Sequence, residues 1–212
     1  MQANLLKSFA LTVLALLTFC YVEMAGAFSR HMIIHMALMT AAAPILALKL
    51  RYLSSQQSAS VSTLVAAIIL QLALLFAWHS PPGIRLAMAG GHGGALLMQA
   101  SLLFSALWFW LTIFSQTGEH LWRSVIALLL TGKLFCLIAV LLVFAPRVLY
   151  GLGAANIPIE LADQQLAGLL MVTVCPLTYV LAAIVLICRW FQALCDSQDS
   201  MVAMESSSWQ NR

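Results

Sequence analysis

Two histidines, His31 and His35, stand four residues apart at the start of an apolar run, Phe28 to Leu50, that is long enough to cross a membrane. On a helix this spacing stacks the two imidazoles on one face, roughly 6 Å apart. Met39 continues the stripe one turn deeper, and Met32 with Met36 forms a second stripe beside it. Imidazole and thioether together suit a copper ion, Cu(I) above all, better than a hard cation. Two ligands on one rigid helix are also preorganised. The competing reading makes both histidines interfacial residues that hydrogen-bond across helices, and the pair alone does not separate the two.

The elements that must position this pair follow from composition. The chain has 212 residues, 63% of them hydrophobic and 8% charged, with a mean hydropathy of +0.98. Soluble domains carry about a quarter charged residues, so the chain is expected to be all-α, a polytopic transmembrane helix bundle. The net charge of +3 is spread between apolar segments, which reads as topology information and gives no nucleic-acid patch.

Six spans are predicted. The first apolar run, Leu5 to Val22, is followed by Ala25-Gly26-Ala27. It reads as a retained helix, with a cleaved secretory signal as the rival. The second span is Met32 to Leu48, the third Leu64 to Trp78, the fourth Ala95 to Phe114 and the fifth Val125 to Ala145. The sixth helix is expected to start near Pro158, with Asn156 as its cap, and to run to about Cys188. Between the third and fourth spans, His79-Ser80-Pro81-Pro82-Gly83 should stop a helix, leaving a polar, glycine-rich segment through GGHGG. The aromatic cluster Trp108, Phe109 and Trp110 is expected near an interface. Residues 1–191 form the bundle, and residues 192–212 a polar, disordered cytoplasmic tail.

Counting basic residues by loop places both termini in the cytoplasm, with Lys7, Lys49, Arg51, Arg123, Arg189 and Arg212 inside and Arg30, Arg85 and Arg147 outside. His31, His35, His79 and His92 then share the outer face with Glu160, Asp163 and Gln164, and His120 falls inside. Such a gathering of polar groups at one end of a small bundle is the pattern of a site. His79, ahead of two prolines, is a candidate third ligand, and His92 a further one. Met24 offers a thioether near the surface and Met39 a deeper one. Asp163 could accept a bond from a ligand imidazole or serve as a helix-start carboxylate. Cys20 and Cys175 are expected on the same side as His31. Lys133 reads as a snorkelling side chain, with a buried partner as the alternative. A haem reading would pair His31 with His79 across facing helices. No GxSxG, HExxH, P-loop or GxGxxG occurs, so no enzyme is expected.

HMIIHM followed by AAAP, then WHSPP, then ADQQLAGLLM, resemble in order the CtaG-type cytochrome c oxidase assembly factors, bacterial multi-pass membrane proteins linked to copper delivery or copper-centre formation. The likeness runs from Phe28 to about Pro176. The resemblance singles out His31, His35, Pro44, Trp78, His79, Pro81, Asp163, Gln164 and Gln165. It departs from the family in having six spans where seven are common, and Val172 where tryptophan is expected. It implies a bacterial inner-membrane factor that is not an enzyme. Copper would sit at His31, His35 and His79 with help from Met39, Met24 or His92, and Asp163 and Gln164 would lie behind these ligands. Its partners would be an oxidase subunit in the bilayer and a periplasmic copper donor. A metal-free chaperone that grips an oxidase subunit is the alternative within the same resemblance.

Overall fold

The computed structural model describes residues 26–53, 59–150 and 157–210. The predicted first span, with Cys20 and Met24, lies outside them, as does Asn156. Helix α1 (Ala27–Ala37) leads through a π-helical stretch, Leu38–Ala42, into α2 (Ala43–Leu53). Then follow α3 (Val61–His79), α4 (Pro81–Ala89), α5 (Gly91–Ser115), a 3-10 turn at Gly118–His120, α6 (Leu121–Phe144) and α7 (Ile157–Gln210). Among the described residues there is no strand. Five helical stretches are long and apolar enough to cross a membrane: Phe28–Arg51, Val61–His79, Gly91–Ser115, Leu121–Phe144 and Pro158–Cys195. They coincide with the second to sixth predicted spans.

The bundle is apolar on its outside as well as in its core. Leu96, Leu137, Phe144, Leu177 and Val185 are all exposed, a surface that water would penalise and lipid would not. The interior is aromatic. Tyr179 lies 5.4 Å from Trp110, 5.8 Å from Phe109 and 5.3 Å from Phe135, ring centre to ring centre. Its hydroxyl accepts a 2.8 Å bond from Gln71 Nε2, which ties α3 to α7 inside the core.

Of the sequence WFW, Phe109 and Trp110 face the core. Trp110 is buried, and its indole N–H donates to the carbonyl of Met39 at 3.0 Å. The π-helical register explains why that carbonyl is free. Ala43 N–H bonds to Leu38 instead of Met39, and the next donor in that register would be Pro44, which has no N–H. Trp110 supplies the missing donor, so proline, bulge and indole form one device.

One sequence expectation changes. The glycine-rich segment after the third span is helical, because Pro81 takes the first turn of α4, where its absent N–H costs nothing. Ser80 Oγ accepts from Gly83 N–H, and the chain turns at Gly91, with φ of 56°, into α5. Helix α7 continues past Gln192 to Gln210. Lys133 is exposed on the outside of α6, which agrees with snorkelling and leaves it no buried role.

Candidate functional site

At one end of the bundle, α1 and α3 bring three imidazoles together. His35 lies between the other two, its ring centre 5.4 Å from that of His31 and 5.0 Å from that of His79, in edge-on contact with both. The first contact follows from the four-residue spacing on α1. The second is tertiary, and depends on α3 ending at the level where α1 begins.

The hydrogen bonding of the cluster is incomplete. His79 Nδ1 lies 2.8 Å from the Leu75 carbonyl. A carbonyl can only accept, so Nδ1 carries the proton and Nε2 presents its lone pair. That Nε2 is buried and without a protein partner, and so are both ring nitrogens of His35. Buried polar atoms left unsatisfied cost about 1–3 kcal/mol each. His35 is 2% exposed and His79 6%, whereas His31 is only partly buried. The triad is thus deeper than a shallow surface site, with His31 as its open side.

Two of the separations, His31–His35 and His35–His79, are those of imidazole pairs that could share an ion. With metal–nitrogen bonds of about 2 Å, imidazoles on one tetrahedral ion have ring centres about 5 Å apart. Among the described residues, however, no group of three His, Cys, Asp or Glu side chains is closed into a ready coordination sphere. For all three to hold one ion, their nitrogens would have to rotate toward a common point. The edge-on packing also bears on haem. His35 fills the space beside both His31 and His79, so the histidine pair proposed for haem does not face across an open gap.

The other sequence candidates fall elsewhere. Met39 is buried one turn deeper, in the π-helical stretch. Met32 and Met36 are buried on α1. His92 is exposed on the first turn of α5, and no ring contact joins it to the triad. Cys175, expected on the histidine side, lies twelve residues past Asp163 on α7, about 18 Å along the helix. Among the described residues Asp163 makes no hydrogen bond to an imidazole. Its two carboxylate oxygens accept the backbone N–H groups of Phe28 at 3.0 Å and Ser29 at 3.2 Å. Ser29 Oγ donates to the Asp163 carbonyl at 2.9 Å. A Cβ at Gly26 would collide with that carboxylate, so glycine is needed there for the approach. Asp163 is thus an N-terminal cap supplied from another helix, at the positive end of the α1 dipole.

Gln164 is likewise structural. Its Oε1 accepts from Leu149 N–H at 2.7 Å, and its Nε2 donates to the carbonyls of Arg147 at 3.4 Å and Leu142 at 3.5 Å. It closes the end of α6. Four residues on, a Cβ at Gly168 would lie 2.8 Å from Leu142 Cβ and 2.9 Å from the Ala139 carbonyl, so only glycine permits this approach of α7 to α6. ADQQLAG is therefore a fastening motif, joining α7 to α1 through Asp163 and to α6 through Gln164 and Gly168.

Residues 6–193 match the family described as cytochrome c oxidase caa3 assembly factor (Caa3_CtaG). The chain belongs to that family. No curated protein and no solved structure matches it. For a Caa3_CtaG member, the fastening motif and the histidine motifs meet at one end of the bundle. Tyr150, which sequence reasoning missed, belongs to that end too. Its ring stacks on Phe28 at 5.1 Å, and its hydroxyl donates to the His79 carbonyl. A lone tyrosine in a loop between spans carries no pattern that would have singled it out. Burial pushes its phenol above the ordinary range, which keeps that donor proton in place.

Proposed function

We propose that this Caa3_CtaG protein assists copper delivery or copper-centre formation in a cytochrome c oxidase of the bacterial inner membrane, holding Cu(I) among His31, His35 and His79. The observation that carries the reading is His35, buried between two other imidazoles with neither ring nitrogen satisfied. A bundle keeps such a costly arrangement when a ligand completes it. Three neutral imidazoles leave the charge of the ion uncompensated, and the penalty for burying charge favours a monovalent over a divalent ion. His31, partly buried, is the side by which the ion arrives from a periplasmic donor and leaves toward an oxidase subunit docked in the bilayer. Met24, Met39 and His92 are auxiliary contacts in this scheme. The orientation follows the sequence, with the triad on the outer side and both termini in the cytoplasm.

A metal-free assembly chaperone is the second reading, favoured by the absence of a closed three-ligand group among the described residues. Complementation separates the two. In a strain lacking this protein, a His31→Ala/His35→Ala variant is expected to lower oxidase activity and oxidase copper content together, by about tenfold or more, given that imidazole ligands hold the ion directly. Wild-type activity and copper in the oxidase would overturn the copper reading and leave the chaperone.

A further inference from the structure

The end of the bundle away from the imidazoles holds a cavity of about 440 Å³. It lies where α2 and α5 end and α7 passes them, lined by Leu48 and Arg51 of α2, Phe114 and Gln116 at the end of α5, and Leu186 and Arg189 of α7. Among the described residues neither guanidinium has an ion pair. Gln116 is 3% exposed, and its Nε2 donates to the Ala59 carbonyl at 2.9 Å. The cavity therefore combines two cationic side chains with an apolar wall.

A soluble anion answers only the cations. A phosphate diester satisfies the arginines, since guanidinium groups hold phosphate oxygens with paired, charge-assisted bonds. Leu48, Phe114 and Leu186 ask for hydrocarbon. We propose that this cavity binds an anionic phospholipid, with its phosphate on Arg51 and Arg189 and its acyl chains along the apolar wall. Basic pockets between transmembrane helices recognise anionic lipid heads in this way. A phosphatidylcholine head is neutral overall.

The full chain, reconstituted in nanodiscs of phosphatidylglycerol and phosphatidylcholine and released for native mass spectrometry, tests this. Wild type is expected to retain phosphatidylglycerol, and Arg51→Gln/Arg189→Gln to retain it roughly 30-fold less, with each arginine near the surface contributing comparably. Arg189 is exposed, so Arg189→Gln alone leaves the packing intact and is expected to lose roughly fivefold. Equal retention by wild type and both variants would overturn the proposal. So would retention of phosphatidylcholine as firmly as phosphatidylglycerol. If inorganic phosphate alone stabilised the detergent-solubilised protein as much as phosphatidylglycerol does, the pocket would be a free-anion site and the lipid assignment would fall.

Discussion

Replacing His35 with leucine is expected to raise the thermal stability of the metal-free protein. Substitution of a buried residue usually destabilises, but here the native side chain brings two polar atoms into the interior and pairs neither. Removing them recovers part of a penalty of about 1–3 kcal/mol per unsatisfied group. Leucine is close to histidine in volume, so the net change is a gain of roughly 1–2 kcal/mol. The same substitution is expected to abolish any rise in melting temperature on adding Cu(I), because a ligand stabilises only the state that binds it. A residue whose replacement stabilises the fold and removes ligand response is retained for the ligand. If His35 were an ordinary packing residue, His35→Leu would leave the metal-free melting point unchanged or lower, and the copper response intact. Thermal unfolding of both proteins, with and without Cu(I), decides between these outcomes.

The opposite effect is expected at Asp163. Asp163→Ala removes the acceptor of two backbone N–H groups, Phe28 and Ser29, from the start of the helix that carries His31 and His35. Hydrogen bonds to a charged group contribute about 1.5–3 kcal/mol each, so the metal-free protein should lose about 3 kcal/mol or more. Asp163→Asn keeps one acceptor oxygen and should recover roughly half of that. A carboxylate that served only to orient a ligand imidazole would behave differently. Its loss would weaken copper binding about 10–100-fold and leave metal-free stability untouched. Denaturation of the metal-free variants therefore distinguishes a cap from a ligand support.

The contrast between His35 and Asp163 shows what could be read from the sequence. The helices were legible because an apolar run of about twenty residues has few other fates. The meeting of His31 with His35 was legible because it is local, set by helix periodicity. That His79 joins them followed from the topology, which puts the end of one span beside the start of another. Asp163 and Gln164 lie at the end expected of them, but the bonds they make there are not legible in the sequence. Their partners are backbone groups of Phe28, Ser29, Arg147 and Leu149, and any residue has such groups, so no side-chain pattern announces them. Trp110 was misread for a related reason. An indole near the end of an apolar run looks interfacial until the π-helical stretch before Pro44 frees a carbonyl for it.

The claim on which the functional reading rests is that the imidazole triad binds copper. Copper content of the purified, dialysed protein, measured beside a His31→Ala/His35→Ala variant loaded in parallel, tests it most directly. Wild type is expected to carry about one copper per chain and the variant less than about a tenth of that, since loss of two imidazoles leaves His79 as the last imidazole of the triad. Equal copper in the two proteins would contradict the account.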